Sequence, residues 1–184
     1  MINSGVASMG YGLPAAIGAC IANDRQTTIC LEGDGSIMMN LQELQTVLTN
    51  QLPIKIFLIN NEGYHSIRQT QNNLFGHHCK VGIGPESGDL SFPSFKKLST
   101  AFGYTYMEAH SNAEMKEMVD KALEMEGTVF CEVFVSPEQN FEPKSATKRL
   151  EDGTLVSPPL EDLAPFLPKE EVLANLFVKP VEER

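Results

Sequence analysis

Gly33-Asp34-Gly35-Ser36 closes the apolar run Thr28-Ile29-Cys30-Leu31-Glu32, and Asn60-Asn61 closes a second, Ile54-Lys55-Ile56-Phe57-Leu58-Ile59. Between them Met38, Leu41, Leu44, Val47 and Leu48 fall on one face at helical period, which predicts a helix over residues 38–50. About thirteen helical residues advance about 20 Å, and about seven strand residues advance about 23 Å. Helix and strand cancel, so a right-handed crossover returns the chain to the edge it left and sets Asn61 beside Asp34. Open α/β sheets place their ligands at that carboxyl edge of the strands.

Taken together, the two turns read as a magnesium diphosphate clamp. Magnesium takes hard oxygen ligands in near-octahedral geometry, commonly one or two protein groups with phosphates and water. Asp34 offers a carboxylate and Asn61 an amide oxygen. Gly33 and Gly35 let the backbone turn sharply and approach a diphosphate, while Ser36 and the amides after it sit where a helix begins, an end that attracts anions. Either half alone is an ordinary turn, since short motifs recur by chance. Both halves at strand ends, with an amphipathic helix between them, carry the reading.

Alternation of helix and strand continues along the chain. Residues 13–23 form a predicted helix with Pro14 in its first turn, where a missing amide costs nothing. Strands are expected near residues 28–31, 54–60, 104–108 and 128–135, the last β-branched and apolar enough for mid-sheet. Residues 94–102 read as helix. Ser111 caps another that carries Met115, Met118, Val119, Ala122 and Leu123 on one face, with Glu114 completing a capping box. This is an α/β pattern with a largely parallel sheet.

From Pro137 onward, prolines at 137, 143, 158, 159, 165, 168 and 180 forbid long regular elements, although residues 169–177 can form a short helix. Leu150, Leu155, Val156, Leu160, Leu163, Phe166, Leu167, Leu173 and Phe177 are too many apolar groups for a solvated linker. Residues 137–184 are therefore expected to wrap onto the domain or a partner, making 1–184 one domain with an extended C-terminal tail. Between them and the second turn, Tyr64, His65, Arg68 and Gln71 directly follow the clamp. Gly76, Gly82, Gly84 and Gly88 suggest a mobile loop that closes over a substrate.

Composition sets limits. A chain of 184 residues with 42% apolar content has the size and make-up of one globular domain. A formal net charge of −10 argues against a nucleic-acid partner, which requires clustered Lys and Arg. No apolar run reaches membrane-spanning length and the first residues lack signal-peptide character, so the expected compartment is the cytoplasm with no membrane partner. Of the four cysteines, Cys20, Cys30 and Cys131 sit in apolar surroundings and read as buried thiols. His77-His78-Cys79 reads as loop, because three consecutive residues rarely converge on one ion.

Three stretches resemble the thiamine-diphosphate-dependent enzymes, specifically the cofactor-binding C-terminal domain of the acetolactate synthase-like branch. They are residues 5–19 (Gly5-Val6-Ala7-Ser8-Met9-Gly10-Tyr11-Gly12-Leu13-Pro14 and onward), the Gly33-Asp34-Gly35-Ser36 to Asn60-Asn61 pair, and Ser157-Pro158-Pro159-Leu160-Glu161-Asp162-Leu163 in the tail. The resemblance implies a three-layer αβα thiamine-diphosphate-binding fold with a mostly parallel central sheet. It further implies that Asp34 and Asn61 ligate Mg2+ through side chains and Gly63 through its carbonyl. Gly33, Gly35 and Ser36 would lie along the diphosphate, with Tyr64 and His65 near it. The Ala7 carbonyl would hold the aminopyrimidine, beside Ser8, and Met9 would be the apolar wedge that bends the cofactor.

The implied activity is decarboxylation of a 2-oxo acid with transfer of the resulting acyl unit to a carbonyl acceptor. Simple 2-oxo acid decarboxylation shares every motif, and a non-catalytic diphosphate-binding or assembly module is the reading from another class. Acetolactate synthases carry a tryptophan in the second-substrate pocket, and this chain has none. In the family the activating glutamate stands on a separate pyrimidine-binding domain, commonly of another subunit, so no catalytic residue is expected in this chain. The expectation is a part of a larger homodimeric or tetrameric enzyme, inactive in isolation.

Overall fold

The computed structural model describes residues 2–3, 6–76 and 80–178. Its elements run α1 (Gly12–Ala22), β1 (Thr28–Gly33), α2 (Asp34–Ile37), a 3-10 turn (Met38–Asn40), α3 (Glu43–Thr49), β2 (Ile54–Asn60) and α4 (His65–Phe75). After a 3-10 turn (Pro85–Ser87) come α5 (Phe95–Phe102), β3 (Thr105–Ala109), α6 (Asn112–Glu124), β4 (Val129–Phe134), β5 (Lys148–Arg149), β6 (Leu155–Val156) and α7 (Lys169–Asn175). His77, His78 and Cys79, read above as loop, lie outside the described residues, as does Gly5 of the first motif.

Four strands form one parallel sheet in the order β1-β2-β4-β3. The two central strands are the apolar ones. Ile54, Ile56 and Leu58 of β2 and Val129, Phe130 and Cys131 of β4 are fully buried, and burying an aliphatic side chain of this size stabilises by about 1.5–3 kcal/mol. Strand alternation splits the core in two. Leu13, Ala16 and Cys20 of α1, Leu44 and Val47 of α3 and Phe95 of α5 pack with Ile54, Ile56 and Leu58. Met118 and Ala122 of α6 pack with Phe57, Val129 and Val133 on the other side. Helices on both faces of a parallel sheet give the three-layer αβα architecture.

The expected helix over 38–50 is broken. Helical backbone starts earlier, at Asp34, tightens into the 3-10 turn and re-forms at Glu43. Asn40 Nδ2 donates to the Gly10 carbonyl at 2.6 Å, and this bond holds the tight turn against the segment upstream of α1. The apolar stripe survives the break, with Leu44 and Val47 buried and Met38, Leu41 and Leu48 packed against the same core. At α6, Ser111 Oγ accepts from Glu114 N at 3.3 Å, but the Glu114 carboxylate accepts from His110 N rather than from the cap residue. Met118 and Ala122 are buried, whereas Met115 and Leu123 are exposed. Cys20, Cys30 and Cys131 are buried free thiols, and burial pushes the last two up to about 12, leaving them inert.

Contacts divide the chain into Met1–Pro137, which holds the sheet, and Glu138–Arg184. In the second unit β5 and β6 pair antiparallel and Lys144 bridges Ala164. Lys148 Nζ lies 4.9 Å from the Phe166 ring centroid. Val156, Leu163 and Phe166 are half-buried, while Leu150, Leu155, Leu160, Leu167, Leu173 and Phe177 are exposed. Among the described residues no helix is long and apolar enough to cross a membrane.

Candidate functional site

β1 and β2 deliver their last residues side by side, Gly33 opposite Ile59. Asp34, at the first position of α2, is 2% exposed. Its Oδ1 accepts from Gly35 N at 2.7 Å and its Oδ2 from Gly63 N at 2.9 Å, so the carboxylate spans both turns. Burial pushes its carboxyl above the ordinary range, against the pull of the Gly35 and Gly63 amides, the Arg68 charge and the Asn61 amide. A carboxylate has about four lone-pair positions, so the three backbone amides leave room for a further partner. Asn61 Oδ1, in the facing turn, is buried and accepts no hydrogen bond. A buried, unpartnered amide oxygen and a buried carboxylate on facing turns are a donor set that fits a hard divalent cation.

Gly35 has no room for a side chain. A Cβ there would lie 2.3 Å from Tyr64 Cε1, and the Tyr64 ring stands edge-on to Phe92 at 5.7 Å between centroids. His65 opens α4 and is buried, with Nδ1 3.0 Å from Arg68 Nη1. Arginine has only donors, so Nδ1 is the acceptor.

The upstream segment is tied to the clamp through Gly10. Its N–H donates to Ser36 Oγ at 3.0 Å and its carbonyl accepts from Asn40. Gly10 has φ +78°, and a Cβ would meet Met39 Cβ at 2.5 Å. Just before it, Ala7 is left-handed at φ +52°, a conformation that costs a residue with a Cβ about 1–2 kcal/mol. Ala7, Ser8 and Met9 are exposed, so Met9 is not a core methionine. They line a groove of about 770 Å³ that also takes in Tyr11, Gly12, Glu32 and Ser36 and continues along α1 and β1. The groove stops short of Asp34 and Asn61, so the two parts meet at Ser36.

Side-chain partners distant in the sequence hold the second turn in shape. Asn60 Nδ2 donates to Glu132 Oε1 at 2.6 Å and its Oδ1 accepts from Glu62 N at 3.0 Å. Tyr106 OH faces Glu132 Oε2 at 2.6 Å and Glu108 Oε2 at 2.8 Å, and burial with these two carboxylates pushes the phenol far above its usual range. The segment in which Gly76, Gly82, Gly84 and Gly88 suggest a mobile loop is pinned by hydrogen bonds over residues 81–89. Gln71 exchanges two hydrogen bonds with Val81, Asp89 accepts from Gly82 N, and Tyr64 N donates to the Ile83 carbonyl at 2.7 Å.

Residues 1–133 match the family described as thiamine pyrophosphate enzyme, C-terminal TPP binding domain. The chain belongs to this family. As a member of the thiamine pyrophosphate enzymes it is 36% identical over 144 residues to the acetolactate synthase large subunit of Pyropia yezoensis, covering 78% of this chain and 24% of that protein. It is also 36% identical over 141 residues to the isozyme 2 large subunit of Escherichia coli K12, covering 77% of this chain and 25% of that protein. Acetolactate synthase 2, chloroplastic, of Zea mays is 29% identical over 143 residues, with 77% and 22% covered. The chain thus spans about a quarter of the length of the curated relatives it matches.

Within this thiamine pyrophosphate-binding domain, the structure brings Gly33, Asp34, Gly35 and Ser36 together with Asn61, Gly63, Tyr64 and His65, and joins Ala7, Ser8 and Met9 to them through Gly10. Arg68 directly follows the second turn in the sequence and lies on α4. It is 3% exposed. Asn40, Asn60, Glu86 and Glu132 had no local signal, because their partners lie 18 to 72 positions away.

Proposed function

We propose that this domain grips Mg2+ and the diphosphate of thiamine diphosphate in an enzyme that decarboxylates a 2-oxo acid and joins the acyl unit to a carbonyl acceptor, as the relatives' acetolactate synthase name suggests. The observation that carries the reading is the presence, on facing turns at two strand ends, of Asn61 Oδ1, buried without a partner, and the Asp34 carboxylate, which accepts from Gly63 N. Asp34 and Asn61 would hold the metal through side chains and Gly63 through its carbonyl. Gly33, Gly35 and Ser36 would lie along the phosphates, with Tyr64 filling the space beneath Gly35 and His65 behind it. Bound thiamine diphosphate supplies the electron sink for cleaving the bond beside the substrate carbonyl.

The chain's own contribution is anchoring and orientation. Ala7, strained and exposed, presents its backbone to the groove, and Met9 presents an apolar wall. A pyrimidine-binding domain, on another subunit of a dimer or tetramer, would close the groove and bring the activating glutamate. Exposed Leu160, Leu167 and Phe177 suit a tail that wraps onto such a partner. Three buried free thiols suit the reducing cytoplasm.

Product analysis tests the activity. The full-length enzyme given pyruvate, Mg2+ and thiamine diphosphate is expected to form a carboligation product, and the 184-residue chain alone to form none. Acetaldehyde as the sole product would favour simple decarboxylation, and no pyruvate consumption by the full-length protein would favour a binding or assembly module.

A further inference from the structure

Arg68 lies in the first turns of α4 with 3% of its surface exposed. Each of its three guanidinium nitrogens has a partner. Nη1 donates to the Asn61 carbonyl at 3.1 Å, Nη2 to the Glu62 carbonyl at 3.0 Å, and Nε to Glu86 Oε1 at 3.1 Å. Both carbonyls belong to the turn that carries Asn61 and Gly63. That turn is strained, with Glu62 at φ +60° and Gly63 at φ +135°, and left-handed backbone at a residue with a Cβ persists only where the surroundings hold it. A planar fork that binds two successive carbonyls is such a hold, and a single point charge is not.

Glu86 belongs to the 3-10 turn Pro85–Ser87 of the pinned loop. The loop and the metal turn are in backbone contact. A Cβ on Gly63 would lie 2.1 Å from the Ile83 carbonyl oxygen, and one on Gly84 would lie 2.3 Å from the Glu62 carbonyl oxygen. The guanidinium therefore bridges three pieces of chain, namely residues 61–63, the start of α4, and residues 82–88. Its charge is balanced by Glu86, whose side chain is 29% exposed and also faces Lys80 at 3.9 Å.

We propose that Arg68 is the positioning residue for the metal turn, and that through Glu86 it makes divalent-cation binding and seating of the 81–89 loop one coupled event. The proposal rests on the metal reading given above. A site that shifts the loop must be shifted by it in return, because a coupling free energy is reciprocal. The loop then acts as part of the metal site although it contributes no ligand. Neutralising Glu86 would leave an unbalanced cation facing an incoming dication, so both partners of the pair are required.

The test uses the full-length enzyme with Mn2+ as the spectroscopic probe in the presence of thiamine diphosphate, reading free Mn2+ by electron paramagnetic resonance. Arg68→Gln is expected to weaken Mn2+ binding at least tenfold. Arg68→Lys, which keeps the charge without the fork, is expected to recover less than half of that loss on a logarithmic scale. Glu86→Gln, at a partly exposed position, is expected to weaken binding at least threefold and decides the matter if Arg68→Gln does not fold. Amide exchange supplies the second readout. Residues 81–89 should gain protection with Mn2+ and thiamine diphosphate in the wild type and lose most of that gain in Glu86→Gln. Unchanged Mn2+ affinity and loop protection in these variants, or full rescue by Arg68→Lys, would overturn the proposal. Asp34→Ala separates the two levels. If it binds Mn2+ like the wild type, the metal reading itself fails. If it loses binding while the Arg68 and Glu86 variants keep it, only the coupling fails.

Discussion

A methyl group on Gly35 would press into the Tyr64 ring, 2.3 Å from Cε1 and 2.5 Å from Cδ1, and that ring has Phe92 at its side. The turn can accept an alanine only by moving Tyr64 or by lifting the backbone into the space proposed for the diphosphate. Gly35→Ala is therefore expected to lower thiamine diphosphate affinity at least tenfold in the full-length enzyme while circular dichroism stays unchanged. Calorimetric titration measures it, and wild-type affinity would show that the backbone does not approach the ligand there. That the turns of Asp34 and Asn61 face each other was legible in the sequence, because both stand at the ends of apolar runs that pair as neighbouring strands. Arg68 was not decidable, since an arginine on a short helix is exposed unless something distant buries it. Here that something is Glu86 with the carbonyls of Asn61 and Glu62. Lys55 was similarly opaque. It sits within an apolar strand, fully buried, and its ammonium donates to the Met125 and Gly127 carbonyls at the turn before β4.

Strands β2 and β4 were readable as apolar runs because central parallel strands bury both faces. What joins them at the carboxyl edge was not readable. Glu132, in the middle of the sheet and 3% exposed, accepts from Asn60 on β2 and faces Tyr106 on β3. Glu132→Ala removes the acceptor of a half-buried amide and one acceptor of a phenol, and an orphaned donor costs up to about 1–3 kcal/mol where it is fully buried. The expected result is a lower urea midpoint with an unchanged slope, and Glu132→Gln should lose less. An Ala variant as stable as the wild type would mean that Asn60 finds another partner and that the network does not brace the turn. The break between α2 and α3 has the same origin as these misses. Helical period located the buried face correctly, but the bond from Asn40 to Gly10, 30 positions apart, decided where the helix is interrupted.

At the scale of the molecule, the site is one-sided. A diphosphate end with candidate ligands on two strand turns meets, at Ser36, an exposed segment of Ala7, Ser8 and Met9 facing an open groove. A cofactor held only there would keep its pyrimidine ring wet, and a pyrimidine-binding domain is the wall proposed above. Fold class and the meeting of the two turns followed from sequence, because periodicity and turn residues are local signals. The groove did not, because Ala7, Ser8 and Met9 meet β1 and α1 only in the folded chain. The central claim is that Asp34 makes thiamine diphosphate binding depend on magnesium, and calorimetric titration of thiamine diphosphate into the full-length enzyme tests it most directly. The wild type should bind tightly with Mg2+ and weakly with a chelator, whereas Asp34→Ala should bind weakly in both conditions. Tight, magnesium-dependent binding by a folded Asp34→Ala enzyme would contradict the account.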